Sequence, residues 1–261
     1  MLKVYLIQMD SSLGNKPQNI EKAKKMILDA RPSEGSLILL PEMFATGYLP
    51  QSLDDAAEDF STRDSGETSR MLSEVADETR STIMGAGITR ASNGFLNHVS
   101  IYAPQSPKEF ASYDKMNLFF PEKECFRAGK KINLFNINKW KVASFICYDL
   151  RFPELFREAT KQGANLITVQ AAWPAKRKAH WETLLKARAI ENQVYITAVN
   201  ATSTNPSERK PLAGTSLIIS PTGDIIAEAP ANEEIVLTAE LDLQAEKDYR
   251  KAFPVLEGIV D

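Results

Sequence analysis

The stretch Ser144-Phe145-Ile146-Cys147-Tyr148-Asp149-Leu150-Arg151-Phe152-Pro153-Glu154 decides the fold. It closes an apolar run, Lys141-Val142-Ala143-Ser144-Phe145-Ile146, of the length and composition of a buried strand. Cys147 stands where that strand stops. A polar turn follows, and Pro153 opens a helix because its fixed φ suits the first helical turn. A thiol at such an elbow sits at a strand's carboxyl end, where open α/β sheets gather their ligand sites. Backbone N–H groups and the positive end of a helix dipole lie nearby, and both favour a thiolate. Against this stands the ordinary fate of cysteine, a small buried hydrophobe. The rest of the chain has to decide between them.

Composition narrows the choice. The 261 residues suffice for one sizeable core, and 43% hydrophobic with 25% charged residues is an ordinary globular balance. A net charge of −3 speaks against a nucleic-acid footprint. No run reaches membrane-spanning length, and Met1-Leu2-Lys3-Val4-Tyr5-Leu6-Ile7-Gln8 reads as a first strand rather than a leader, so the cytoplasm is the expected compartment. Two cysteines make no disulfide scaffold and have no zinc spacing. With only His98 and His180, an imidazole-built metal site is nearly excluded, and the base for a nucleophilic Cys147 is expected to be a carboxylate.

Outward from the elbow, strand-like runs alternate with amphipathic helices. Pro17 to Ala30 reads as a helix with Ile20, Ala23 and Ile27 inward and a Glu21/Lys25 pair. Leu37 to Leu40 is a short buried strand, and Gly66 to Arg80 a helix with Leu72, Val75, Ala76 and Thr79 inward. Ile83 to Thr89, Phe95 to Ala103, Glu109 to Tyr113 and Asn165 to Gln170 read as strands. His180 to Gln193 is a helix, followed by strand Val194 to Asn200. Its stripe of Trp181, Leu184 and Leu185 brings Arg188 to the core, where Glu191 is its expected partner. Ala201 to Pro211 reads as a loop. Thr215 to Ser220, Ile225 to Ala229 and Ile235 to Leu241 form three late strands with tight connections. From Asp242 a tail with Tyr249, Phe253, Pro254 and Val255 is expected to wrap its own domain or dock on a partner, without regular structure. The pattern implies a single α/β domain over 1–261 with helices outside the sheets.

Three polar residues stand at the ends of apolar strands: Glu42 after Leu37–Leu40, Lys115 after the Glu109–Tyr113 run, and Cys147. Their chemistry is complementary. A carboxylate takes the thiol proton and returns it to a leaving amine, an ammonium steadies thiolate and oxyanion, and the thiolate attacks an electrophilic carbon. Taken singly, Glu42 could be a capping acid and Lys115 a surface lysine.

The segments LILLPEMFATGY, YDKMNLFFPE, FICYDLRFPELFR and HWETLLKARAIENQVYITAVN resemble the nitrilase, or carbon–nitrogen hydrolase, superfamily over almost the whole chain. The resemblance implies a four-layer α–β–β–α sandwich, a general base at Glu42, a lysine at Lys115, a nucleophile at Cys147 and a positioning glutamate at Glu122. It also implies an oxyanion hole from Lys115 and the Tyr148 N–H, no metal or organic cofactor, and a homodimer. PEMFATGY and QAAWP are similar to the omega-amidase branch, which hydrolyses the terminal amide of short 2-oxo acid amides such as 2-oxoglutaramate. A substrate of that kind needs a cation for its carboxylate, with Arg151 available unless Glu154 pairs it, and apolar walls, for which Phe44, Tyr48, Phe120 and Trp173 are the candidates.

The sequence departs from that pattern where relatives usually read Asn-Arg-x-Gly and this chain has Asn200-Ala201-Thr202-Ser203. Cys125, in a charged loop, has neither elbow nor base. The alternatives are a linear-amide hydrolase of another specificity (N-carbamoyl amino acid hydrolase, deaminated-glutathione amidase or nitrilase) and a non-catalytic binding module. A papain-like enzyme would have to use His98 or His180, for which structural roles are expected.

Overall fold

A computed structural model describes residues 1–205 and 210–258. In chain order the strands are β1 (Leu2–Gln8), β2 (Leu37–Leu39), β3 (Thr82–Ala91), β4 (Gly94–Tyr102), β5 (Ala111–Asp114), β6 (Leu134–Ile137), β7 (Trp140–Ile146), β8 (Leu166–Ala171), β9 (Tyr195–Asn200), β10 (Leu217–Ile219), β11 (Ile225–Glu228) and β12 (Ile235–Leu241). The helices are α1 (Lys16–Asp29), α2 (Leu53–Ala56), α3 (Glu67–Thr79), α4 (Pro153–Lys161), α5 (Lys178–Asn192) and α6 (Leu243–Ala252). Two six-stranded sheets result, ordered β12-β1-β2-β3-β4-β5 and β11-β10-β9-β8-β7-β6.

Each sheet has a parallel trio at its centre, β1-β2-β3 in one and β7-β8-β9 in the other, with antiparallel strands outside it. Parallel neighbours need long crossovers, and α1, α3, α4 and α5 supply them. Strands covered on both faces read as continuous apolar runs, which is why Leu37–Leu39 and Leu166–Ala171 are buried at every position. Between the sheets, Leu6, Leu39, Met84 and Val99 share one cluster with Val169, Ala198 and Ile218. On the outside, Ala23, Ile27, Leu72 and Val75 of α1 and α3 close over Tyr5, Ile7, Ile38 and Ile83. Helices α4 and α5 cover the second sheet through Phe156, Trp181 and Leu185. The molecule is an α–β–β–α sandwich, as expected.

Some local expectations fail for physical reasons. Lys25 pairs with Asp29 at 2.6 Å, one turn after it, and not with Glu21. Thr79 is only half-buried, because α3 is ending there. The late strands are not one meander: β10 and β11 form a hairpin, while β12 joins the other sheet against β1, from Leu2↔Leu241 to Gln8↔Ile235. The tail is helical. Asp242 caps α6 by accepting from Gln244 N, and Arg250 ties it to its own domain through the carbonyls of Gln193 and Ala164. Residues 206–209 of the expected 201–211 loop lie outside the described residues. Asn200-Ala201-Thr202-Ser203 is buried, with Thr202 N bonded to Met9 O at 3.0 Å.

Candidate active site

The strand ends gather as expected at one edge of the sandwich. Glu42 follows β2, Lys115 follows β5, and Cys147 ends β7 as the first residue of a 3-10 turn, Cys147–Arg151. Cys147 lies in the left-handed region at φ +45°, a costly conformation for a residue with a side chain, and one that lifts the thiol out of the strand line. Cys147 is 7% exposed and so buried.

Lys115 is fully buried and its Nζ lies 2.8 Å from Glu42 Oε1 and 2.8 Å from Glu122 Oε1. Burial opposes its charge, but Glu42, Cys147 and Glu122 outweigh that and keep it protonated. Two of its three N–H bonds are thereby occupied, and one is free for a third acceptor. The other oxygens of the carboxylates are held as well. Glu42 Oε2 accepts from Ala172 N at 2.9 Å, across from the second sheet, and Glu122 Oε2 accepts from Phe119 N at 2.7 Å. Burial, and then the neighbouring Glu42 charge, push the Glu122 carboxyl up against the pull of Lys115. Burial and the Glu42 charge likewise push the Cys147 thiol well above its ordinary range, Lys115 pulling the other way. The thiol form is thereby favoured over the thiolate.

Sequence reasoning missed Asn97. This fully buried β4 side chain donates from Nδ2 to Glu42 Oε1 at 2.7 Å and to Glu122 Oε1 at 3.1 Å. Its signal was a polar residue on the apolar side of β4, between Phe95 and Val99. Asp149 was missed too. Its carboxylate accepts from Tyr113 Oη, Ile146 N, Asn117 N and Asn117 Nδ2 at 2.8–3.1 Å, pinning the elbow to the segment after Lys115. Arg188 pairs with Glu191 at 3.0 Å as expected, and it also donates to Leu150 O at 2.9 Å, so it braces the same turn.

The wall candidates separate. Tyr48 belongs to the site: burial, with the charges of Glu42, Glu122 and Cys147, pushes its pKa up. Phe44 lies in the outer core instead, so close to Gly85 that a Cβ there would meet its ring at 3.0 Å. Phe120 is 67% exposed beside Tyr148, at 6.1 Å between ring centroids. Trp173 is buried against Trp181 and carries the Arg151 guanidinium 4.7 Å from its ring centroid. Arg151 makes no ion pair with Glu154; it rests on Trp173 and Tyr148 with His180 Nδ1 at 3.5 Å. His98 sits between Asp114 and Glu109, away from the thiol, and Cys125 Sγ reaches only backbone carbonyls. Among the described residues no group of three His, Cys, Asp or Glu could hold a metal ion, and no helix is long and apolar enough to cross a membrane.

A buried acid–ammonium–acid cluster facing a thiol on a strained elbow, inside an α–β–β–α sandwich, is the arrangement of a carbon–nitrogen hydrolase. Residues 3–251 match that family, and the chain belongs to it. It is 34% identical over 258 residues to a 2-oxoglutaramate amidase of Bacillus subtilis, covering 98% of this chain and 96% of that one. It is 30% identical to an omega-amidase of Escherichia coli K12, over 97% and 94% of the two chains. The crystal structure of a CN-hydrolase superfamily protein from Xanthomonas campestris, with an arsenic adduct in its active site, superposes with a TM-score of 0.89 at 27% identity, over 100% of this chain and 98% of that one.

Proposed function

We propose that this enzyme is a cysteine amidase that releases ammonia from a small linear carboxylated amide, a 2-oxo acid omega-amide such as 2-oxoglutaramate. The observation that carries the reading is the Lys115 ammonium, fully buried between Glu42 and Glu122 and in electrostatic contact with Cys147. The names of the Bacillus and Escherichia relatives support the substrate class.

In the first half-reaction Glu42 accepts the thiol proton as Sγ bonds to the amide carbon. The oxyanion is met by the third N–H of Lys115 and the N–H of Tyr148, which lies in the first turn of the 3-10 segment and so has no partner within it. Glu42 returns the proton to nitrogen, the C–N bond breaks, and ammonia leaves a thioester on Cys147. In the second half Glu42 takes a proton from water as its oxygen attacks the thioester. The C–S bond then breaks and the thiol is restored. Glu122 keeps Lys115 in place. Arg151, backed by Trp173 and Tyr148, holds the substrate carboxylate as a planar fork.

Ammonia release from 2-oxoglutaramate, measured beside an N-carbamoyl amino acid, tests the reading. Much faster turnover of the carbamoyl compound would overturn the substrate class. Loss of activity in His98→Ala or His180→Ala, with Glu42→Gln tolerated, would overturn the mechanism. The reading extends to a cytoplasmic homodimer, supported by Phe253 and Val255 exposed beyond α6. Sedimentation as a monomer at micromolar concentration would remove the dimer.

A further inference from the structure

We propose that Arg177 pairs with Arg151 to build the subsite that reads the distal carboxylate of the substrate, and that Arg177 sets the preference for anionic over neutral amides. The proposal rests on the amidase reading and names a residue that reading leaves out.

The two guanidinium groups share one aromatic support. Arg151 lies 4.7 Å from the centroid of Trp173 and 5.6 Å from that of Tyr148. Arg177 lies 6.0 Å from Phe119, whose ring packs on Tyr148 at 5.3 Å. Trp173 Nε1 donates to Arg177 O at 2.9 Å, so the ring beneath Arg151 also fixes the backbone of Arg177. Both arginines are half-buried, and among the described residues neither is ion-paired with an acid. The polar neighbour of Arg151 is His180 Nδ1, 3.5 Å from both Nη atoms.

Two like charges on one partly buried rim, without a counter-ion, are unfavourable until an anion joins them. Burial and the Arg177 charge both hold Arg151 below the usual guanidinium range, while Cys147 acts on it in the opposite sense. The two arginines are therefore electrostatically coupled, and Arg151 is coupled to Cys147 as well. Rings lie behind both guanidinium groups, Arg151 having besides, among the described residues, only the 3.5 Å contact to His180, and guanidinium N–H edges match the two oxygens of a carboxylate.

The test reads Cys147 directly. Alkylation of the thiol by iodoacetamide is timed with and without 2-oxoglutarate, and with the neutral glutaramide, in the full chain and in Arg177→Gln and Arg177→Lys. We expect 2-oxoglutarate to protect the native thiol, and Arg177→Gln to weaken that protection about ten- to hundredfold. Arg177→Lys should restore part of it, since lysine keeps the charge and loses the fork. The ratio of kcat/KM for 2-oxoglutaramate over glutaramide should fall by the same factor. Unchanged protection by 2-oxoglutarate in Arg177→Gln overturns the proposal, and so does an equal loss of protection by glutaramide. Arg177-dependent protection in a protein that cleaves no amide would sink the amidase reading and leave the subsite standing. Turnover of the carboxylated amide without an effect of Arg177→Gln would do the reverse.

Discussion

Replacing Asn97 tests how the two carboxylates are kept in their roles. Its Nδ2 donates to Oε1 of both Glu42 and Glu122, the same oxygens that receive Lys115. Asn97→Ala therefore halves the donors on each oxygen without stripping either. A hydrogen bond to a charged group contributes about 1.5–3 kcal/mol, and ~1.4 kcal/mol is tenfold in rate. Only the part that differs between ground and transition state reaches the rate, so we expect kcat/KM to fall about 10- to 100-fold. Loss of a donor to a carboxylate favours its protonated form, so the acidic limb of kcat/KM against pH should move upward by about one unit. Stability should change little, because the substitution also removes Asn97 Oδ1, which is buried without a partner. Asn97→Asp is the harsher variant. Three carboxylates in such proximity cannot all ionise, and the proton they retain occupies the base. The assay is ammonia release from pH 5 to 9, alongside a thermal melt. Native kcat/KM with an unmoved acidic limb in Asn97→Ala would refute the positioning role.

Three further outcomes are expected. Cys147→Ala should abolish turnover and Glu42→Gln lower kcat by about 10²- to 10⁴-fold, read as ammonia release with a folded protein by circular dichroism; a Glu42→Gln enzyme at native rate would remove the base. His98, although burial opposes its charge, is raised from 6.5 to about 9 by Asp114 and Glu109. At about 1.4 kcal/mol per pH unit this is on the order of 3 kcal/mol, present in full below pH ~6.5 and lost as pH rises through about 9. The stability gap between native protein and His98→Asn in urea melts should close over that window, and a gap that widens with pH would contradict the ion triad. Arg188→Met should cost about 1–3 kcal/mol by orphaning Leu150 O, and a melting temperature unchanged within 1 °C would show that the elbow does not depend on it.

The elbow was legible because its information is local. An apolar run, a cysteine and Pro153 lie within a dozen residues, and the same run-then-polar grammar marks Glu42 and Lys115. Asn97 was not legible as a site residue, because what distinguishes it is contact with Glu42 and Glu122, 55 and 25 positions away. The partner of β12 is equally non-local: Leu241 meets Leu2, a pairing that no window along the chain can contain. Helix α6 failed for a different reason. Its inward face is Leu243 and Glu246, with the acid held by Arg250, so an apolar stripe never appears, although Asp242 and the terminal Arg250 and Lys251 were signals of a cap and a C-terminus.

In the proposed mechanism two glutamates of like composition do different work, and their surroundings differ accordingly. Lys115 is shared equally, at 2.8 Å to each, and Asn97 favours Glu42 by a few tenths of an ångström, so the donors barely distinguish them. What differs is the second oxygen. Glu122 Oε2 is bound to Phe119 N within its own turn. Glu42 Oε2 is bound to Ala172 N of the opposite sheet, and Glu42 is the carboxylate that weighs most on the Cys147 thiol. In the proposed mechanism the carboxylate locked into a local turn holds the ammonium, and the one that spans the seam between the sheets takes the proton from sulfur and returns it to nitrogen. Because burial and the Glu42 charge both disfavour the thiolate of Cys147, the proposed mechanism has the proton leave sulfur as attack proceeds.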